Sequence, residues 1–241
     1  MIARKPGNRR SNSVRTLAVD IGGTGIKSIV LDEVGKPLTE RGRVKTPRPA
    51  TPAAIIAVIA ESAKTQGDFD RVSIGFPGVV SRGVTVTAPN LDQKWRGFHL
   101  AEALSKKLGK PVRVANDADV QGFGAIEGHG VELVITLGTG FGSALFVDGK
   151  LVPNLEVAHH PFRRDRTYEE NLGIAALKKV GKKKWNKRLE KAILSLEHMF
   201  NYDHLYIGGG NAQKITLALP ASVKVVSNVA GLLGGIALWR D

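Results

Sequence analysis

Twice in this sequence an apolar segment runs into a Gly-Thr-Gly turn and returns as a second apolar segment. Residues 17–19 lead through Gly23-Thr24-Gly25 to residues 29–31, and residues 132–137 lead through Gly138-Thr139-Gly140 to residues 143–147. A chain that reverses this tightly needs residues that accept positive φ and close backbone approach, which glycine supplies. The first repeat goes on to a turn at 32–35, a third strand at 41–45 and helical apolar spacing over 52–64 (Ile55, Ile56, Val58, Ile59). A strand at 72–75, a helix at 100–108 closed by Gly109 and Pro111, and a strand at 112–115 follow. Helices near 188–200 and 228–239 complete the second half. The expectation is an internally duplicated α/β fold with a ligand cleft between two lobes. Residues 16–115 form a small lobe, 116–227 a large one, and 228–241 a C-terminal helix able to return to the small lobe.

With 42% hydrophobic and 24% charged residues, the chain can bury a substantial core. No run reaches the roughly 20 apolar residues of a membrane helix, and the N-terminus has no apolar secretory run, so a soluble, cytoplasmic protein is expected. The absence of cysteine excludes disulfides, thiolate zinc sites and a cysteine nucleophile. Nearly all of the net charge of +13 sits in two stretches. Residues 1–16 carry Arg4, Lys5, Arg9, Arg10 and Arg15 without an acid, in a polar run that reads as a disordered tail over 1–15. Residues 178–191 carry eight cations against Glu190 alone.

The segment DIGGTGIK (20–27) places Gly22, Gly23, Thr24 and Lys27 after a buried strand, where backbone N–H groups can approach phosphate oxygens and Asp20 can hold Mg²⁺. A plain hairpin explains that segment alone equally well. LGTGFG (137–142) offers a second such loop through Gly138, Thr139 and Gly140, and IGGGNA (207–212) a third glycine turn opening a helix. In VANDADVQGFG (114–124), Asn116 and Asp117 stand at a strand end from which side chains reach a cleft. Asp117 can accept a hydroxyl proton, and the same residues suit a helix N-cap.

From residue 16 to 241 the chain resembles the ROK family (repressor, open reading frame, kinase) of sugar kinases, and within it the polyphosphate glucokinase branch. LAVDIGGTGIKSIVLD, VANDADVQGFG and TLGTGFGSALFVDG are similar to family-wide segments, and KKVGKKKWNKRLEKAI and FNYDHLYIGGGNAQKI to segments of the branch. IGFPGVV and TAPNLDQKW add to the match. The resemblance implies an actin-like ATPase (ribonuclease H-like) fold, Mg²⁺ dependence, a homodimer, and phosphoryl transfer to the 6-hydroxyl of glucose. It implies Asp117 as catalytic base, Asn116 and Asn90 as sugar ligands, and Asp20 as the acid near the transferred phosphate. The family's Glu-x-Gly-His motif stands here as Glu156-Val157-Ala158-His159, which makes Glu156 and His159 sugar contacts. Many members present a further sugar-binding acid from a zinc loop; the branch lacks zinc, no zinc site is expected here, and Glu169 or its neighbour Glu170 takes that place. Gly208, Gly209, Gly210 and Asn211 would flank a bound nucleotide.

From Lys183 onward at 100° per residue, Leu189, Ala192, Ile193, Leu196 and Phe200 share one face, and Lys183, Lys187 and Lys191 the opposite one. A solvated surface is one reading. The single sign favours an extended polyanion, which makes Lys182, Lys183, Lys184, Lys187 and Arg188 a channel for polyphosphate; charge alone does not separate this from a nucleic-acid surface. The donor is therefore polyphosphate, ATP or both. A strictly ATP-dependent hexokinase and a non-catalytic sugar-binding regulator are the alternatives. The family's repressors add an N-terminal DNA-binding domain of on the order of 50 residues or more. Only about fifteen residues precede the first strand, so neither a repressor nor a nucleic-acid partner is expected.

Overall fold

Strand β1 (Thr16–Ile21) forms where Leu17, Ala18, Val19 and Ile21 need cover on both faces, and all four are buried. In the computed structural model, which describes residues 13–89, 91–226 and 234–240, β1 returns as antiparallel β2 (Gly25–Leu31), with β3 (Gly42–Lys45) beyond it. Helix α1 (Pro52–Gln66) starts at Thr51, whose hydroxyl accepts from the Ala54 N–H, with Pro52 in the first turn where no N–H is required. Strand β4 (Arg71–Phe76) lies parallel to β1. A small hairpin, β5 (Val80–Ser81) and β6 (Val84–Thr85), precedes α2 (Leu100–Leu108), which ends at Gly109 in the left-handed conformation, and β7 (Val112–Asn116). The sheet order is β3-β2-β1-β4-β7.

The second half repeats that order. After α3 (Asp117–Phe123), β8 (Val131–Leu137) and β9 (Phe141–Val147) form the second hairpin, edged by β10 (Lys150–Val152). The ribbon β11 (Pro161–Arg163) and β12 (Arg166–Thr167) leads into α4 (Tyr168–Leu172) and α5 (Ile174–Phe200), followed by β13 (His204–Gly208) and β14 (Val223–Val225). The second sheet runs β10-β9-β8-β13-β14, again three antiparallel strands followed by two parallel ones. Each half has its own core. Trp95 lies within the first and Trp185 within the second, and each indole N–H is satisfied, by the carbonyls of Ala50 and Leu172 (2.8 and 2.9 Å). The halves also bond to one another, the Val80 N–H donating to Oδ1 of Asn154 at 3.2 Å.

Two expected helices differ. The one near 188–200 is the end of α5, which starts at Ile174 and breaks at Gly181 (φ 75°, ψ 159°), a backbone state open to glycine at little cost. Of the expected helix at 228–239, the described part is a 3₁₀ helix, Gly234–Trp239, resting on the first sheet; residues 228–233 lie outside the described residues. Ser73 Oγ donates to the Gly235 carbonyl (2.6 Å), the Trp239 indole donates to Ser73 Oγ (2.8 Å), and Arg71 and Arg113 cover the Trp239 ring. Of the expected tail, residues 1–12 also lie outside the described residues. Among the described residues no helix is long and apolar enough to cross a membrane.

Candidate active site

Asp20 emerges at the end of β1 because the β1–β4 register sets it beside Gly75, and the glycine leaves room for what comes from β7. A Cβ built on Gly75 would stand 3.5 Å from the Cα of Asp117. Two acids thus meet where two parallel strands end. Lys27, across the hairpin from Asp20, donates to its Oδ2 at 2.6 Å. The glycine turn is fixed from outside, as Thr46 Oγ1 donates to the Gly22 carbonyl (2.6 Å) and Arg48 Nη2 to that of Gly23 (2.9 Å).

Asn116 serves as the N-cap of α3: its Oδ1 accepts from the Ala118 and Asp119 N–H groups, and its Nδ2 donates to the Gly78 carbonyl at 3.1 Å and toward Glu156 Oε1 at 3.5 Å. This leaves Asp117 as the first helical residue, facing the cleft. Burial pushes its carboxyl up to about 7, the charge of Asp20 adds to this, and the bond from the Ala118 N–H opposes it. Glu156 is likewise raised, chiefly by burial, against the pull of His159.

The second glycine turn is held by its neighbours. Asn211 Nδ2 donates to the Gly138 carbonyl (2.8 Å), and the Ile174 N–H at the head of α5 donates to the same carbonyl (3.1 Å). Glu169 Oε2 accepts from the Phe141 N–H (3.2 Å) and lies 2.2 Å from where a Cβ on Gly140 would be, so a side chain there would push that carboxylate aside. Glu170 points elsewhere. It closes a capping box with Thr167 at the start of α4 and is exposed. At the third turn Gly209 has φ 88°, and a Cβ there would meet the Leu137 backbone at 2.3 to 2.6 Å. Gly209→Ala is expected to lower stability by roughly 2–4 kcal/mol, read as a fall in the urea midpoint at unchanged slope.

These parts enclose one cleft of about 530 Å³. Of the residues singled out in the sequence, it is lined by Asp20, Gly22, Gly23, Thr24, Lys27, Asn116, Asp117, Gly138, Thr139, Gly140, Glu156, His159, Glu169, Gly209, Gly210 and Asn211. Gly208 is not among them: it is buried at the end of β13, opposite Thr136 in the ladder. Lys182, Lys183, Lys184, Lys187 and Arg188 also stand outside the cleft, on α5. Asn90 lies outside the described residues, although its neighbour Pro89 lines the cleft. Sequence reasoning passed over Arg43 and Gln121, which also line it, and Asp119. Asp119 is 2% exposed, accepts from the Asn154 N–H and keeps Oδ1 without a partner among the described residues; burial raises it to about 7. No periodicity marks such a residue, because its environment comes from the loop that carries Asn154.

A model of the ROK family matches residues 16–156. The chain belongs to the ROK family. It is 32% identical over 236 residues to a polyphosphate glucokinase of Mycobacterium tuberculosis (strain H37Rv), with 90% of this chain and 88% of that protein aligned. Among solved structures it is similar to the inorganic polyphosphate/ATP-glucomannokinase of Arthrobacter sp. strain KM, with TM-score 0.84 and 34% identity over 94% of this chain and all of that one. A Streptomyces griseus ROK family glucokinase in complex with glucose and AMPPNP shares the fold, with TM-score 0.78 and 23% identity over 93% of this chain and 98% of that one. The duplicated α/β halves around a cleft are thus the actin-like ATPase fold of ROK sugar kinases.

Proposed function

We propose that this ROK-family chain is a glucokinase that moves a phosphoryl group from inorganic polyphosphate, and from ATP, to the 6-hydroxyl of glucose. The observation that carries the reading is Asp117, a carboxylate tuned to about 7 between two glycine turns, with Glu156, His159 and Glu169 lining the same cleft. A base with this pKa can take the hydroxyl proton near neutral pH as the oxygen attacks. Glu156, His159, Glu169 and Asn116, with Asn90, would hydrogen-bond the other sugar hydroxyls and so orient the 6-hydroxyl toward Asp117. The backbone N–H groups of the turns at Gly22–Gly23 and Gly138–Gly140 would receive phosphate oxygens.

Asp20 fits Mg²⁺, which takes one or two carboxylates together with substrate phosphates and water. Bound there, the ion would neutralise charge on the transferred group, and Lys27, now paired with Asp20, would be released toward the phosphates. Gly209, Gly210 and Asn211 would flank the nucleotide when ATP is the donor. We place the reaction in the cytoplasm, and a homodimer would cover the exposed Leu194 and Met199 of α5.

The polyphosphate reading draws support from where α5 begins. Ile174 lines the cleft, Lys178 is about one turn further on, and the basic run continues to Lys191 with its lysines exposed and Arg188 half-buried. The relatives whose names include polyphosphate add to it. The test is a donor panel with glucose and Mg²⁺ against ATP, GTP and polyphosphates of several lengths. Turnover with polyphosphate and with ATP is expected; turnover with ATP alone would return the basic strip to a solvated surface. Changing Lys183, Lys184 and Lys187 to Gln should raise KM for long polyphosphate about tenfold, weaken its salt dependence, and leave ATP-driven turnover within a few-fold.

A further inference from the structure

The ribbon β11–β12 sets Arg163 opposite Arg166, with Arg164 and Asp165 in its two-residue turn at φ 52° and 54°. Two consecutive positive-φ residues match the twist of a two-stranded hairpin. The ribbon is fastened to α4 by the buried Asn171, whose Nδ2 donates to the carbonyls of Thr167 (2.9 Å), Arg163 and Arg166 (3.4 Å each). The carbonyl of Asn171 in turn accepts from Arg188 Nη1 of α5 at 3.3 Å. One asparagine therefore gathers two arginine-bearing elements that are far apart in the chain.

None of the side chains of Arg163, Arg164, Arg166 and Arg188 makes an ion pair with a carboxylate among the described residues. Two acids lie near: Asp165 is exposed in the turn, and Glu170, which feels Arg166, is taken up by Thr167 in the capping box. Burial, and after it the charges of Arg163, Arg164 and Arg166, hold the Arg188 guanidinium below its ordinary value. Like charges crowded without counter-charge raise the energy of the free protein and are relieved when an anion arrives.

We infer that Arg163, Arg164, Arg166 and Arg188 form a second phosphate-chain site, outside the cleft, that grips inorganic polyphosphate beyond the group being transferred. The inference rests on the polyphosphate reading above. Glu169 lines the cleft and Asn171 is two residues further along α4, on the far side of the same helix by about 200°. The arginines therefore stand outside the cleft, across α4 from it, and Arg188 shares its helix face with Lys184 one turn earlier. Guanidinium forks pair bidentately with successive phosphate oxygens, whereas the anionic part of ATP ends at its adenosine.

The test compares the full chain with the triple variant Arg163→Gln, Arg164→Gln, Arg166→Gln, using long-chain polyphosphate, tripolyphosphate and ATP as donors. KM for the long chain should rise by about tenfold or more, and KM for tripolyphosphate, ATP and glucose should stay within about twofold. An unchanged KM for the long chain overturns the site. Wild-type turnover with ATP alone overturns the donor reading instead, and equilibrium binding of long-chain polyphosphate then judges the site. Binding by wild type that the variant loses upholds it; equal binding, or none, overturns it. Loss of affinity for a uridine homopolymer RNA with polyphosphate affinity intact also overturns it. Should the triple variant fail to fold, the single exposed Arg166→Gln is read in the same assays against a severalfold rise.

Discussion

Asp117→Asn lowers kcat by at least ~10²-fold while KM for glucose stays within a few-fold. The amide keeps the shape of the carboxyl at the head of α3 and loses only the proton acceptor, so binding survives and chemistry does not. A variant retaining a tenth of wild-type kcat removes Asp117 from the role of base. The wild type adds a pH test. With Asp117 at about 7, the ionised fraction and the rate fall about tenfold per unit as pH drops below that value. Stability moves the other way. The folded carboxyl binds its proton more tightly than the unfolded one, so its contribution is fully present below about 4 and is lost as pH rises to about 7. Asp117→Asn removes the cost of burying that charge. Its apo form should melt several degrees above wild type at pH 8, with the gap narrowing at pH 5 and closing only below about pH 4.

Glu156→Ala raises KM for glucose by about 10–100-fold and changes KM for either donor little, since a lost charge-assisted bond in a half-buried site costs about 1.5–3 kcal/mol. The fold should tolerate the change. Asn116, which approaches Glu156 at 3.5 Å, remains pinned by the Gly78 carbonyl and by its cap on α3. The segment around residue 156 stays anchored on both sides, Ser143 Oγ donating to the Leu155 carbonyl (2.6 Å) and accepting from the Val157 N–H (3.2 Å). An unchanged KM with sugar selectivity intact in a folded variant would sink the sugar-contact role.

What the sequence made legible follows from local chemistry. The two glycine hairpins, α2 with its Gly109 cap and the strand before Asn116 each rest on a short-range pattern, and each is where that pattern predicts. The different orientations of Glu169 and Glu170 were also written in the chain. Thr167-x-x-Glu170 is a capping box, which turns Glu170 to the backbone and leaves Glu169 to face the cleft. What stayed hidden depends on contacts between distant segments. Helix α5 looked shorter because Gly181 interrupts its periodicity, and Asn186 is buried in a basic run only because Lys182, Lys214 and Thr216 supply its partners. The ribbon β11–β12 is too short and too charged to declare itself as strands.

The bond from the Val80 amide to Asn154 Oδ1 joins residues 74 positions apart, one in each half of the molecule. Any excursion that parts the halves widely enough must break it and expose that N–H to solvent. The deuterium uptake of this one amide then counts openings of the free protein, and the factor by which sugar or donor slows it measures how firmly each holds the cleft shut.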